Sequence, residues 1–184
     1  MSIKVLGIAG SLRKGSYNKL ALRAAIELKP AGMDIESFDI APIPLYNEDL
    51  REQGFPSVVE EFREKIRAAD ALLFVTPEYN YSVAGVLKNA IDWASRPPDQ
   101  PFNDKPVAIM GASISRLGTA RAQYHLRQTA VFLNMHVLNK PEVMISGAAT
   151  AFDADGRLTD EGTRKLIVEL LVNLKDWSER IKRR

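Results

Sequence analysis

Two hydrophobic periods alternate along the chain. Residues 3–8 form a short apolar run of the kind a buried strand makes, and residues 19–28 space their apolar side chains as a helix does. Lys29-Pro-Ala-Gly32 ends that helix with a breaker and a C-cap glycine. Residues 33–40 alternate apolar and acidic positions and predict a second, edge-like strand. Residues 56–69 turn Val59, Phe62 and Ile66 to one face and Glu, Arg and Lys to the other. Residues 71–76 are almost wholly apolar, as a central parallel strand covered on both faces requires. A helix over 83–94 offers Leu87, Ala90, Ile91 and Trp93 for packing. Beyond the break at 96–101, the pattern predicts a fourth strand at 105–110, a helix at 119–133 and a fifth strand at 141–146. Thr159-Asp-Glu161 caps a last helix with Leu166, Leu170, Leu174 and Trp177 inward.

Five strands alternating with helices imply an α/β, doubly wound parallel sheet. With 184 residues the chain has enough length for one core, so residues 1–184 are expected to form a single domain. The net charge of +2 gives no reason to expect nucleic acid. The basic end, Arg180-Ile-Lys-Arg-Arg184, reads as a solvated helix terminus favourable to the dipole. Cysteine is absent, which excludes disulfides, thiolate nucleophiles and iron–sulfur ligation. No stretch resembles a signal peptide or approaches 18 apolar residues, so a cytoplasmic protein without membrane contact is expected. His125 and His136 stand eleven apart without acids at ligand spacing, and no metal site is expected. Residues 152–158 carry two of the acids of a calcium loop but lack its later ligands, and are read as a turn.

Candidate chemistry collects after strands one, three and four. The first loop, Gly7-Ile-Ala-Gly-Ser-Leu-Arg-Lys-Gly-Ser-Tyr-Asn18, runs from a strand into a helix N-terminus. There the first-turn amides are unpaired and the dipole is positive, which favours an anion. Ser11 and Ser16 add hydroxyls, Asn18 an amide and Arg13 a forked cation, a donor set suited to a phosphate monoester. The glycines at 7, 10 and 15 match neither the Walker loop nor the dinucleotide fingerprint. An ordinary strand–helix loop with a Ser cap and an exposed Arg is the plainer alternative. Asp39, near the end of the second strand, could meet a ribose hydroxyl in a dinucleotide fold, but without that fingerprint a solvent-facing turn acid is the better reading. The Pro-rich residues 41–47 could line one side of a pocket. The second loop, Thr76-Pro-Glu-Tyr-Asn-Tyr-Ser82, offers flat aromatic faces and an amide for the edge of a heterocycle. The third, Gly111-Ala-Ser-Ile-Ser-Arg-Leu-Gly118, is again rich in small residues. Open α/β sheets bind ligands where such loops converge at the carboxyl edge.

On three motifs the chain resembles the NADPH-dependent FMN reductase family, which includes quinone and chromate reductases. They are Gly10-Ser-Leu-Arg-Lys-Gly-Ser-Tyr-Asn18, Pro77-Glu-Tyr-Asn80 with Ser82-Val-Ala-Gly-Val-Leu-Lys-Asn-Ala-Ile-Asp-Trp93, and Gly118-Thr-Ala-Arg-Ala-Gln123. The resemblance implies a three-layer flavodoxin-like fold with a five-stranded parallel sheet in the order 2-1-3-4-5. It implies that Ser11, Arg13, Ser16, Tyr17 and Asn18 surround the phosphate of FMN. It further implies that Pro77, Glu78, Tyr79 and Asn80 hold the isoalloxazine and ribityl edge, with Ser113 flanking the ring. Where the family commonly has Pro and small residues, this chain has Ile114, Ser115 and Arg116. Arg116 could attract the NADPH phosphate or face solvent. A homodimer or homotetramer is implied, with Tyr124-His-Leu-Arg-Gln128 as a candidate contact.

The activity so implied is hydride transfer from NADPH, or NADH, through FMN to small acceptors such as quinones, free flavin or chromate. No side chain is assigned as acid, base or nucleophile. One alternative is a non-enzymatic flavodoxin-type electron carrier, although such carriers are usually strongly acidic. Another is a nucleotide- or sugar-phosphate-binding protein without flavin.

Overall fold

A computed structural model describes residues 2–182. Strands β1 (Ile3–Ala9), β2 (Met33–Phe38), β3 (Ala71–Val75) and β6 (Pro106–Ala112) lie parallel in the order β2-β1-β3-β6. The fifth position is shared. β7 (His136–Val137) pairs with the start of β6, and β8 (Val143–Ile145) pairs with its end. The predicted order 2-1-3-4-5 is therefore the observed one, with the last strand in two pieces. The expected strand at 141–146 is the second piece. The first was missed because two residues carry no periodicity.

Alternation along each strand divides the core. Val5, Leu73, Val75 and Met110 pack against α1 (Tyr17–Glu27) and α7 (Glu161–Lys182). Leu6, Ile8, Leu72, Phe74 and Ile109 face α3 (Ser57–Ala68), α4 (Gly85–Ala94) and α5 (Ala120–Phe132). A run apolar at every position is what a strand needs when both faces are covered. Gly7 brings α1 close to the sheet: a Cβ there would stand 2.6 Å from a Leu22 methyl.

Several sequence expectations change. Leu166 is 40% exposed and Ile167 takes the inward place on α7, with Leu170, Leu171 and Leu174. Three consecutive aliphatics, Leu166-Ile-Val168, left the helix phase open by one residue. The outward, charged face of α3 has one exception, since Arg63 is 1% exposed. It donates to the carbonyls of Ala94, Arg96 and Asp99 at 2.7, 2.8 and 2.6 Å and lies 4.2 Å from the Phe55 ring centre. The basic C-terminal end is anchored in part, with Lys182 Nζ 2.7 Å from Asp70. Arg183 and Arg184 lie outside the described residues. Asp160 caps α7 by accepting from the Thr163 amide at 2.7 Å. The 152–158 segment is the expected turn, closed by the Phe152–Leu158 bridge.

Four short elements were not anticipated. Helix α2 (Glu48–Glu52) is capped by Asn47, and β4 (Glu78–Tyr79) pairs antiparallel with β5 (Ser82–Val83). A further short helix, α6 (Ala148–Ala151), follows β8. Among the described residues no helix is long and apolar enough to cross a membrane.

Candidate functional site at the carboxyl edge of the sheet

The loops after β1, β3 and β6 meet around a cavity of about 160 Å³. Nine of the ten residues proposed from sequence line it: Ser11, Arg13, Ser16, Tyr17, Asn18, Pro77, Glu78, Tyr79 and Ser113, together with Ala112 and Ile114. Asn80 does not. It sits at the tip of the β4–β5 hairpin, which carries it past the lining. Residues 41–47 are not part of this wall either. Trp93 Nε1 and Asn89 Nδ2 both donate to the Pro44 carbonyl, at 2.9 and 2.8 Å, which holds that loop against α4. Asp39 accepts from the Ala41 amide at 3.1 Å, as a local turn acid does. A larger cleft, about 400 Å³, lies between α1 and β2, but only Ala9 of the three strand ends reaches it.

The first loop is built as a helix N-terminus. Ser16 is the N-cap of α1 and accepts from the Asn18 amide at 3.2 Å; its hydroxyl proton stays free to donate. Ser11 and Ser16 are both buried. Arg13 folds back over its own loop, donating from Nε and Nη2 to the Gly15 carbonyl at 3.2 and 2.6 Å, with its guanidinium 5.4 Å from the Tyr17 ring centre. Tyr17 stacks on Phe152 at 5.9 Å. Gly15 is open: a Cβ there would meet nothing within 4 Å. Gly10 is not, because a Cβ would lie 3.0 Å from Leu87 and 3.3 Å from Pro77. Absence of a side chain at Gly10 thus lets the first loop touch the second.

Two residues assigned to the ligand have their polar atoms turned to the protein. Asn18 donates from Nδ2 to the Ala112 carbonyl at 3.0 Å and accepts from the Ala112 amide at 2.9 Å. It fastens α1 to the end of β6. Glu78 accepts from the Arg121 and Ala122 amides, at 3.0 and 3.2 Å, and from Arg121 Nε at 2.6 Å. Its carboxylate occupies the positive end of α5, where the Thr119 side chain makes no cap of its own. Sequence alone missed both roles, since their partners lie 94 and 43 residues away.

The third loop is tied to β8 and braced from within. The Ser113 amide donates to Ile145 O at 2.9 Å, and the Ser115 amide donates to Ser113 Oγ at 3.1 Å. Ser115 Oγ in turn donates to Gly118 O at 3.1 Å. Ile114 stands 72% exposed at the rim, beside exposed Arg116. His125 pairs with Ser82 Oγ at 3.0 Å and His136 with Asp104 at 3.1 Å. Among the described residues no three acids or histidines cluster as a metal site would.

The sheet order and the loops gathered at its carboxyl edge define a protein of the flavodoxin-like class. The family model for NADPH-dependent FMN reductases matches residues 3–150. An NAD(P)H-dependent FMN reductase of Pseudomonas aeruginosa is 69% identical over 180 residues, covering 98% of this chain and 97% of that one. A quinone reductase of Escherichia coli is 46% identical over 183 residues, again covering 98% and 97%. The solved structure of a flavoenzyme NAD(P)H:(acceptor) oxidoreductase from Paracoccus denitrificans superposes with a TM-score of 0.88 at 36% identity, over 97% of this chain and 98% of that. The chain belongs to the NADPH-dependent FMN reductase family and is an NAD(P)H-dependent reductase of the FMN and quinone type.

Proposed function

We propose that the protein binds FMN at the carboxyl edge of its sheet and uses NADPH, or NADH, to reduce small acceptors: quinones, free flavin or chromate. The observation that carries this reading is the convergence of three loops from distant parts of the sequence on one cavity. The donor set fits the cofactor's phosphate. Buried Ser11 and Ser16 hydroxyls, the first-turn amides of α1 and the Arg13 guanidinium edge turned away from the Gly15 carbonyl supply charge-assisted donors, and open Gly15 leaves room beside them. The cavity is smaller than the roughly 300 Å³ at which pockets begin to enclose a ligand, so it suits the phosphate end, with the flat ring on the open edge by Pro77, Tyr79 and Ser113.

Bound FMN would supply the redox chemistry, taking two electrons as a hydride from the nicotinamide and passing them to the acceptor. The chain's own part is positional. Ser11, Arg13 and Ser16 hold the phosphate, and Tyr17 supports Arg13. Asn18 fixes α1 to β6, while Pro77 and the exposed face of Tyr79 bound the ring's edge. No side chain need act as acid or base.

Residues 1–184 are proposed to work as one domain, in the cytoplasm, as a homodimer or homotetramer. Val131 and Phe132, 79% and 86% exposed near the end of α5, support a second copy as their cover. Light scattering tests this; a monomer at micromolar concentration overturns it.

The test of function is a visible spectrum of the purified protein after incubation with FMN, before and after anaerobic NADPH. A bound flavin spectrum that bleaches with NADPH and returns with quinone is expected. A protein that retains no flavin refutes the reading. Arg13→Ala should weaken FMN more than riboflavin, since only FMN carries the phosphate.

A further inference from the structure

The hairpin that borders the ring side of the cavity adopts an unfavourable turn. Asn80 and Tyr81, its two central residues, have φ of 49° and 67°. Two-residue hairpin turns with φ positive at both centres are met most easily by Asn-Gly. Asn tolerates that region, but a bulky residue at the second centre crowds its Cβ against the following carbonyl. Backbone strain of this kind persists where surrounding contacts over-determine it.

Those contacts come from α5. Glu78, whose side chain is only 7% exposed, fills both carboxylate oxygens with donors from Arg121 and Ala122. The Arg121 guanidinium carbon lies 3.6 Å from the centre of the Tyr81 ring. One cation therefore ties the residue that opens the hairpin to the residue that strains it. Neither Arg121 nor Tyr81 lines the cavity.

We propose that Glu78, Arg121 and Tyr81 form a clasp that holds the 78–83 hairpin in the conformation that receives the flavin ring. Glu78 is then a positioning residue acting through Arg121 and Tyr81, not a ligand of the ring. The inference rests on the flavin reading of the site.

The test titrates apo protein with FMN and with riboflavin, following quenching of flavin fluorescence. Glu78→Ala and Arg121→Met should each weaken both ligands by the same factor. That factor is about tenfold if the competent hairpin falls to about a tenth of the population. The ratio of FMN to riboflavin affinity stays at the wild-type value, whereas Arg13→Ala lowers it. Tyr81→Gly, which creates the favoured Asn-Gly turn, should change wild-type affinity by less than about threefold and restore most of the loss in the Glu78→Ala background. Wild-type affinity in both Glu78→Ala and Arg121→Met overturns the clasp. So does a loss in Glu78→Ala that Tyr81→Gly fails to repair, because Glu78 would then be touching the ligand itself. Should Glu78→Ala not fold, Arg121→Met with and without Tyr81→Gly reads the same coupling. A wild-type protein that binds neither flavin refutes the site reading, an outcome distinct from intact binding by the variants.

Discussion

Replacing Asn18 by Ala tests how the site is fastened to the sheet. The Asn18 side chain exchanges two hydrogen bonds with the Ala112 backbone, at 3.0 and 2.9 Å, and the residue is 3% exposed. Ala112 lies two residues past Met110, the last position of β6 that pairs with β3. The amide of Asn18 thus continues the ladder where its neighbouring strand has stopped. Truncation removes two buried bonds and leaves an N–H and a C=O without partners. At about 1–3 kcal/mol for each of the two buried groups left unpaired, the loss should reach about 2–6 kcal/mol. For a chain of this length, at about 2–4 °C per kcal/mol, that corresponds to a fall in Tm of about 4–24 °C. Urea unfolding of the apo protein measures it without interference from ligand. Asn18→Asp is the control. It keeps an acceptor for the Ala112 amide but sets a second carboxylate oxygen against the Ala112 carbonyl. Burial and that contact should raise the acid's pKa in the folded state. Its stability should therefore decline as pH rises from the unfolded value, about 4, towards the raised folded one. An Asn18→Ala protein within about 0.5 kcal/mol of wild type, below the net worth of even one such bond, would refute the reasoning. So would an Asn18→Asp protein with no pH dependence of its deficit.

Three other outcomes follow from the packing. Arg63→Met should cost about 2–4 kcal/mol in urea unfolding, because the carbonyls of Ala94, Arg96 and Asp99 lose a common donor; a loss under about 1 kcal/mol would mean that water replaces it. Gly111→Ala should fail to fold or lose more than about 3 kcal/mol, since a Cβ there collides with the Thr76 carbonyl oxygen and the Thr119 hydroxyl; a thermal melt reads this, and a wild-type Tm contradicts it. Burial alone would raise the pKa of Asp70, but hydrogen bonds from Lys182 and the Lys4 amide, with the charges of Lys182 and Lys105, outweigh it and leave the carboxyl below its ordinary value. A depressed acid contributes stability above its unfolded pKa, near 3.8, that disappears as pH falls through the folded value. Asp70→Asn should flatten that acid limb, and an unchanged limb would assign it to other carboxylates.

The sheet was legible because burial on both faces writes itself as continuous apolar runs, at residues 3–8 and 71–76 above all. The pieces that escaped are those without a local signature. β7 is two residues long. The β4–β5 turn uses Asn80-Tyr81 where the recognisable signal would be Asn-Gly. Arg63 follows Phe62 on the inward side of α3, and its partners stand more than thirty residues away, so no window around it announces a buried cation. In the site, the Ser16 cap was readable because its partner is two residues on.

Asn18 and Glu78 are the instructive pair. Both have the residue types a phosphate or a heterocycle would recruit, and both stand in the loops where such a ligand belongs. The same chemistry that binds a ligand also caps a helix or completes a strand, so residue type and position cannot separate the two uses. Only the long-range partner can. In this chain the separation has a consequence for function. Asn18 couples the first loop to β6, Glu78 couples the hairpin to α5, and Ser113 couples the third loop to β8. Gly10 against Pro77 and Leu87 closes the remaining gap between the first and second loops. Each loop is fixed by a group outside itself, so the cavity's shape belongs to the sheet and its helices rather than to any one loop. Damage at one fastening should therefore appear as weaker binding of the whole ligand, whereas loss of Arg13 should appear at the phosphate alone.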